Sequence, residues 1–214
     1  MICPQCCGFD DLFNKKCAAR ELRRYRKRGP IKTTRLLIDA LRSQGAGDST
    51  LLDIGGGIGA IQHELSKDSA TRVVSVDGST ASISAAREEA TRQGYADRVQ
   101  YHHADFVDVA EEIDSADIVT LDRVICCYPD MKVLVARSAQ KARRLYGLVY
   151  PRNTWLVRII GPAMNLIHRL RRIAFRVYLH RPSEIDRAVR AAGLRLRSEQ
   201  HTMIWHVAVY ARDD

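Results

Sequence analysis

Asp53 and the glycines that follow it are the residues whose types and spacing most directly indicate chemistry. Residues 50–60 read TLLDIGGGIGA, so an apolar run ends at Asp53 and Ile54. The glycines that follow are Gly55, Gly56, Gly57 and Gly59. A strand, a glycine turn and a helix in this order open a nucleotide-binding α/β domain. Glycine suits such a turn because it adopts positive φ and lets a ligand lie close to the backbone.

Two nucleotide ligands fit this turn. Gly55, Gly57 and Ala60 satisfy the dinucleotide pattern G-x-G-x-x-G/A, which favours NAD. Asp53 favours S-adenosylmethionine (SAM), because a carboxylate near the turn can accommodate the ammonium group of its methionine moiety. The spacing D-x-G-x-G-x-G also resembles motif I of the class I SAM-dependent methyltransferases. This resemblance implies that Asp53 and the glycines bind SAM.

Asp77 ends a second apolar run and is followed by Gly78 and Ser79. An acidic residue about 20 positions after the glycine turn is placed to accept hydrogen bonds from both ribose hydroxyls. This expectation holds for SAM and for NAD alike. We therefore predict that Asp77, Gly78 and Ser79 contact the cofactor.

Two more carboxylates complete the predicted cofactor site. Asp105 follows the third predicted strand, and Asp122 ends the fourth, in ADIVTLD. In class I methyltransferases an acidic residue and its neighbour after the third strand bind the adenine amino group and pack on the ring. The resemblance assigns these roles to Asp105 and Phe106. Four strands that end in acids, in this order, favour SAM over NAD.

The elements that must position these residues alternate between strand and helix. Predicted strands cover residues 51–54, 72–76, 98–102, 116–121 and 145–150, and predicted helices cover 58–67, 80–93 and 131–142. Gly94 is expected to close the second of these helices. Such alternation requires a parallel sheet with helices on both faces.

The end of the chain changes pattern. A helix is predicted from a cap at Ser183, with Asp186 as its capping-box acid, to Gly193. Alternating residues predict two strands over 194–200 and 203–212. A terminal antiparallel pair is typical of this methyltransferase class and unusual in NAD-binding domains. The predicted fold is therefore α/β, with a Rossmann-like, seven-stranded, mostly parallel sheet.

The length of 214 residues fits a single domain. Within 1–214 we expect N-terminal cap helices over 1–45, one of them opened by Pro30, and a SAM-binding core over 50–150. Residues 151–182 are expected to form a substrate lid of helices broken near Gly161-Pro162. Residues 183–214 supply the last helix and the strand pair.

Several segments resemble a narrower family, the magnesium-protoporphyrin O-methyltransferase group and its bacterial relatives. They are RRYRKRGPIKTTRLLIDAL at 23–41, LDRVICCYPD at 121–130, YPR at 150–152 and the ending at 191–212. The similarity extends from about Tyr25 onward and implies O-methylation. The porphyrin enzymes have a histidine before the Tyr-Pro pair, whereas this chain has Cys126 and Cys127. The methyl acceptor is therefore left open.

Tyr128 is the predicted catalytic residue. It lies at the carboxyl end of the fourth strand, where ligands bind in open α/β sheets. A carboxylate acceptor is already ionised at neutral pH and needs no general base. A hydroxyl, thiol or amine acceptor would benefit from a base, and the candidates for that role are Tyr128 and a nearby histidine.

The basic composition restricts the partners. The net charge is +9, and arginines cluster over 20–28 and 158–181. These clusters favour a small anionic or lipophilic acceptor, and the lid is a candidate for peripheral membrane contact. The alternatives are methylation of nucleic acid and SAM binding without turnover. Enzymes that methylate amino groups of nucleic acids carry an N/D-P-P-Y/F motif after the fourth strand, and this chain has no such motif there. The sequence indicates no oligomeric state.

The start of the chain has neither a signal peptide nor a transmembrane pattern, so we expect a cytoplasmic protein. Four N-terminal cysteines are weak candidates for zinc ligands because they lack a second paired ligand set. They are Cys3, Cys6, Cys7 and Cys17. The primary expectation is that the chain binds no metal.

Overall fold

A computed structural model describes residues 14–67 and 72–213. Its centre is a seven-stranded sheet in the order β3-β2-β1-β4-β5-β7-β6. The strands are β1 (Thr50–Ile54), β2 (Arg72–Asp77), β3 (Val99–His103), β4 (Ala116–Asp122), β5 (Ala142–Pro151), β6 (Leu194–His201) and β7 (Trp205–Arg212). Strands β1 to β5 pair in parallel, and β7 is antiparallel to both β5 and β6. The predicted fold class is confirmed.

Helices cover both faces of this sheet. They are α1 (Lys15–Arg28), α2 (Lys32–Ser43), α3 (Ala60–Lys67), α4 (Thr80–Arg92), α5 (Phe106–Val109), α6 (Met131–Gln140), α7 (Trp155–Leu170) and α8 (Pro182–Ala191). One core packs α2 and α3 on the sheet, through residues such as Leu37, Ile38 and Leu65. The other core packs α6 and α8 on the opposite face, through residues such as Leu134 and Val189.

The strand order places the functional residues together. Strand β1 pairs in parallel with both β2 and β4, so the direction of the chain across the sheet changes at β1. Ligands bind outside the carboxyl ends of the strands at such a switch point. Asp53, Asp77 and Asp122 lie at or next to these strand ends.

The lid helix differs from the prediction. The Gly161-Pro162 pair was expected to break it, yet α7 is one helix with Pro162 inside. An interior proline removes one helical hydrogen bond but does not force a break when packing fixes both halves. Val157 and Gly161 are buried in the first half. In the second half, the Asn165 side chain exchanges hydrogen bonds with Val177, at 2.7 and 2.8 Å.

Two predicted helix starts are also wrong. Helix α8 begins at Pro182 with Arg181 as N-cap, so Ser183 does not cap it, and Asp186 pairs with Arg190 instead. Proline is favoured at the first helical position, where no N–H bond is needed. Similarly, α2 begins at Lys32, two residues after Pro30.

No helix in the described residues is long and apolar enough to cross a membrane.

Candidate cofactor and acceptor site

A cavity of about 470 Å³ opens at the carboxyl ends of β1, β2 and β4. The structure brings most of the predicted site residues into its wall. These are Asp53, Gly55, Gly56, Gly57, Asp77, Gly78, Asp105, Phe106, Asp122 and Tyr128. Gly59 and Ser79 are not among the lining residues and act on the local backbone instead.

The glycine turn is shaped by close contacts at Gly55 and Gly56. Gly55 has a φ of 62°, and a Cβ there would lie 2.5 Å from a methyl group of Val124. A Cβ on Gly56 would lie 2.5 Å from Oδ2 of Asp53. Any larger residue at Gly56 would therefore displace the carboxylate beneath the turn. Gly57 and Gly59 also have positive φ, and no described atom lies within 4 Å of a Cβ built on Gly57.

Asp53 is fully buried beneath this turn. The Thr120 hydroxyl donates to its Oδ1 at 2.7 Å, whereas Oδ2 has no hydrogen-bond partner among the described residues. Burial raises the pKa of Asp53 to about 7, with further contributions from the negative charges of Asp122 and Asp77. A buried carboxylate with an unsatisfied oxygen is a strong site for a cationic group.

Asp77 links the turn to the next helix. Its Oδ2 accepts a hydrogen bond from the Gly57 amide at 2.9 Å, and its Oδ1 accepts one from the Ser79 amide at 2.7 Å. These two bonds fix the Asp77 carboxylate in the cavity wall. Ser79 caps α4 by accepting from the Ser82 amide. We therefore place Ser79 in support of Asp77.

Asp105 and Tyr128 form one hydrogen-bonded unit. Asp105 caps the short helix α5 by accepting from the Val107 amide at 2.9 Å, and its other oxygen accepts from the Tyr128 hydroxyl at 3.1 Å. Phe106 is buried at the start of α5. The Tyr128 hydroxyl thus lies beside the predicted adenine-binding acid, and the proposed catalytic contact with an acceptor stays a prediction.

Asp122 connects the N-terminal helices with the site. Its carboxylate accepts from the Thr34 hydroxyl of α2 and pairs with Arg123 at 3.2 Å. Arg123 has a φ of 63°, which is uncommon for a residue other than glycine and is often found at functional sites. Sequence reasoning missed Arg123 and Thr34, because neither the positive φ nor the long-range contact has a local signal.

Cys126 and Cys127 line the cavity after β4. Both thiols donate to the Arg123 carbonyl, at 3.3 and 3.4 Å. The neighbouring Cys126 thiol, together with burial, raises the pKa of Cys127 well above its usual value. The hydrogen bond between the two thiols lowers the pKa of Cys126, so Cys127 is the thiol that stays neutral and adds apolar surface to the wall.

The rest of the cavity wall is largely apolar and comes from the lid and the edge of the sheet. The apolar lining residues include Ile31, Pro151, Val157, Ile160, Met164, Phe175, Val177, Leu179, Ile204 and Trp205. Arg24 and Arg123 are the arginines of the described wall, and this wall contains no histidine. The cavity therefore has a carboxylate-rich half and an apolar half.

The lid consists of α7 and the return segment, residues 171–181. The Tyr178 amide donates to the Cys126 carbonyl at 2.8 Å, and His180 Nε2 lies 2.9 Å from the Tyr128 carbonyl. These contacts attach the return segment directly to the loop that carries Tyr128. The lid and the loop after β4 thus form one continuous wall.

His63 on α3 is a buried polar residue of the core. It is fully buried, hydrogen-bonded to the Tyr95 hydroxyl and 2.7 Å from the Ile58 carbonyl. Burial lowers the pKa of His63 to about 4, so it is neutral at physiological pH. A lone histidine on a short helix gives no sequence signal for such a buried partner.

Of the candidate metal ligands, Cys3, Cys6 and Cys7 lie outside the described residues. Cys17 lies on α1, where its Sγ is 3.7 Å from the Arg20 guanidinium.

Comparison with known proteins gives a family. The model of a methyltransferase domain matches residues 46–155, just over half of the 214-residue chain. The comparison with curated proteins finds no match.

Solved methyltransferase structures share the fold. Magnesium protoporphyrin IX methyltransferase from Synechocystis PCC 6803 is 17% identical, with a TM-score of 0.70 over 85% of this chain and 83% of that one. An O-methyltransferase family protein from Burkholderia thailandensis is 17% identical, with a TM-score of 0.69 over 96% of this chain and 63% of that one. Geranyl diphosphate C-methyltransferase from Streptomyces coelicolor A3(2) is 15% identical, with a TM-score of 0.66 over 84% and 76%. At these identities the likeness concerns the fold.

Proposed function

This chain belongs to the methyltransferase domain family, and we propose that it methylates an oxygen atom of a small lipophilic acid. Its methyl donor is S-adenosylmethionine, the cofactor of this family. The observation that carries the proposal is one cavity in which strand-end carboxylates adjoin a largely apolar wall, with Glu21, Arg24 and Arg123 but no histidine among the described lining residues.

The carboxylate-rich half fits the donor. The unsatisfied oxygen of buried Asp53 suits an ammonium group, and the glycine turn leaves room for a ligand beside the backbone. Asp77 lines the cavity at the end of β2, where a carboxylate suits ribose hydroxyls. Asp105 and the ring of Phe106 are placed for the adenine amino group and its π-face.

The donor supplies a methyl group activated by a sulfonium, and the protein must hold an acceptor oxygen in line with it. In this chain the lid and the loop after β4 line the apolar half of the cavity. The Tyr128 hydroxyl holds Asp105 in place. Thr34 and Arg123 hold Asp122 in the same way on the opposite side of the glycine turn.

A carboxylate acceptor explains why the apolar half has no obvious general base. Such an acceptor carries its nucleophilic charge at neutral pH, so it needs only alignment and partial charge compensation. Arg24 and Arg123 lie in the cavity wall and can provide that compensation. The apolar lid residues then bind the lipophilic body of the acceptor.

The test uses isotopically labelled SAM and matched acceptors, namely lipophilic carboxylic acids, the corresponding alcohols and the corresponding amides. Porphyrin carboxylates are the first acids to include. We expect label in a methyl ester, which alkali hydrolyses, whereas methyl ethers and N-methyl groups resist alkali. Label that appears only in alkali-stable products or in RNA would contradict the proposal. SAM binding without transfer to any acceptor would support a binding protein without turnover.

Arg24 and its neighbour Arg23 provide a matched pair of variants. Both arginines are exposed, but only Arg24 is among the residues that line the cavity. Arg24→Gln should raise the KM for an acidic acceptor by about tenfold, the usual cost of one charge-assisted contact. Arg23→Gln should change it little. Equal KM values for the two variants would remove Arg24 from acceptor binding.

We also propose that the protein works in the cytoplasm, where the thiols of Cys126 and Cys127 remain reduced.

A further inference from the structure

The outer face of α7 is apolar and has no covering element among the described residues. Trp155, Ile159, Leu166 and Leu170 are 73%, 60%, 59% and 76% exposed. Their spacing places them along one side of the helix. The other side is packed, since Val157 and Gly161 are buried. A solvent-facing apolar stripe of this size marks a binding surface.

The charged side chains of the segment that carries this stripe are all arginines. Residues 152–181 contain seven arginines and no acidic residue. Arg158 and Arg169 are exposed on α7, and Arg171 and Arg172 are exposed directly after it. The arginine-rich helix α1 reaches the same part of the molecule, because Arg24 lines the cavity together with Ile160 and Met164 of α7.

The surface also adjoins the acceptor half of the cavity. Ile160 and Met164 line the cavity and yet are 37% and 40% exposed. Helix α7 is therefore a single layer between the apolar half of the cavity and the solvent. An acceptor dissolved in a lipid phase that touches α7 would be one helix away from the site.

We propose that α7 binds the surface of an anionic lipid bilayer, with its apolar stripe among the headgroups and its arginines on lipid phosphates. A protein partner is less well matched, since a protein interface usually pairs charges of both signs around an apolar centre. Amphipathic helices of this composition lie in the plane of the membrane interface. The proposed lipophilic acceptor would then reach the cavity from the bilayer. Lipid binding itself does not depend on methyl transfer.

Vesicle co-sedimentation of the full chain tests the charge requirement. We expect binding to phosphatidylcholine vesicles that contain phosphatidylserine, and much weaker binding to phosphatidylcholine alone. Arg158→Gln and Arg172→Gln should each weaken binding by about fivefold. Arg143→Gln is the matched control, because Arg143 is exposed at the start of β5, on the sheet edge opposite the cavity. Equal effects of all three substitutions would overturn the assignment of the surface.

Brominated lipids test the position of the stripe. Bromine atoms on the acyl chains should quench the Trp155 fluorescence of the wild-type chain, and Trp155→Phe should abolish most of that quenching. The triple variant Ile159→Gln, Leu166→Gln and Leu170→Gln should lose vesicle binding, whereas Val133→Gln on α6 should retain it. A stripe variant that changes only the oligomeric state in solution would overturn the proposal in favour of self-association.

SAM calorimetry separates this proposal from the proposed function. The triple variant should bind SAM as tightly as the wild type, because its substituted residues do not line the cavity. A chain that binds vesicles but not SAM would contradict the proposed function alone. A chain that binds SAM but no vesicles would contradict the membrane proposal alone.

A second site is formed by Glu199, His201 and His206 on the β6–β7 hairpin. His201 and His206 are directly opposed across the two strands. The Glu199 Oε1 atom lies 2.9 Å from His206 Nε2 and 3.5 Å from His201 Nε2, and one ligand atom of each residue lies within 4.8 Å of the others. His206 is buried, with its ring 4.7 Å from that of Tyr150, which fixes its orientation.

We propose that these three side chains bind a divalent transition-metal ion such as Zn²⁺. Two imidazoles and one carboxylate are a common zinc ligand set, and tetrahedral ligands lie about 3.3 Å apart around zinc. The distances from Glu199 Oε1 to His206 Nε2 and His201 Nε2 fall on either side of that value. These residues are not among those lining the cavity, so the site is separate from the methyl-transfer chemistry.

Cobalt absorption and zinc calorimetry test this site in a full chain with Cys3, Cys6, Cys7 and Cys17 changed to serine, which removes competing thiolates. We expect binding of one ion without thiolate-to-cobalt charge-transfer bands. His201→Ala and Glu199→Gln should each weaken it at least tenfold, and His102→Ala should not. Affinity unchanged in His201→Ala would overturn the proposal.

Discussion

At Asp53, the requirements of stability and of ligand binding oppose each other. The carboxylate is buried with one unsatisfied oxygen, and its pKa is about 7. A cationic ligand favours the ionised form, so SAM affinity should rise as the pH increases through about 7. The same charge destabilises the protein without ligand, because the folded state holds its proton more tightly than the unfolded chain does.

Asp53→Asn should therefore separate the two effects. We expect SAM affinity to fall at least tenfold and to lose its pH dependence between about pH 5.5 and 7.5. Without ligand, the variant should gain about 2–4 kcal/mol in free energy of unfolding above pH 7, and the gain should vanish as the pH falls to about 4. Calorimetry and urea unfolding measure the two quantities. Asp117→Asn is the control. Asp117 accepts hydrogen bonds from Thr50 at the amino-terminal ends of the strands, away from the cavity, so this substitution should not change SAM affinity.

Tyr128 has two testable roles. Its hydroxyl donates to Asp105, so Tyr128→Phe should raise the KM for SAM by about three- to tenfold, with little change in kcat. Steady-state kinetics with both substrates varied distinguish the outcomes. A lower kcat with unchanged SAM affinity would instead support direct contact between the tyrosine and the acceptor.

Among the elements, α1 is attached to the core through a buried carboxylate. Glu89 of α4 is buried and accepts hydrogen bonds from Arg26 of α1 at 2.7 Å, and from Arg92 and Gln93. The hydrogen bond from Arg92 is the largest cause that lowers the pKa of Glu89 to about 2. Because the folded pKa is depressed, this stabilisation is present above about pH 4.5 and is lost as the pH falls through 2.

Glu89→Gln should lower the free energy of unfolding at pH 7 by about 1–3 kcal/mol, since it leaves the guanidinium groups without their buried charge partner. Glu88→Gln should change it by less than about 1 kcal/mol, because Glu88 pairs with the same Arg26 at an exposed position. Urea unfolding of the two variants provides the comparison. Equal losses would show that burial of Glu89 is not what attaches α1.

Element types could be predicted from the sequence wherever the apolar period was long, as in β1, β2 and α4. The errors occur where a tertiary contact overrides a local signal. Pro162 predicts a break, but the pairing of Asn165 with Val177 and the burial of Gly161 keep α7 continuous. Ser183 predicts a cap, but Pro182 already begins α8.

In the candidate site, too, some residues could be predicted from the sequence and others are positioned by tertiary contacts. Strand-end acids and glycines have fixed positions relative to the strands, so the sequence predicts that Asp53, Asp77 and Asp105 converge. Thr34 and Arg123 reach the site through contacts between distant segments, and burial of His63 depends on Tyr95 from another element. Such contacts have no periodic signal.

Across the whole molecule, whose net charge is +9, acidic and basic side chains are unevenly distributed. Carboxylates gather at the carboxyl ends of the central strands, whereas α1 contributes Arg24 to the cavity wall and α7 carries exposed arginines outside it. This separation suits a cationic cofactor on one side and an anionic, lipophilic acceptor on the other.

The assignment of the cofactor site can be tested by calorimetric titration of the full chain with SAM, with S-adenosylhomocysteine and NAD as comparison ligands and Asp77→Ala as the variant. We expect both adenosyl ligands to bind with one site per chain, NAD to give no heat, and Asp77→Ala to weaken SAM binding at least tenfold. Binding of NAD in place of SAM, or unchanged SAM affinity in Asp77→Ala, would contradict it.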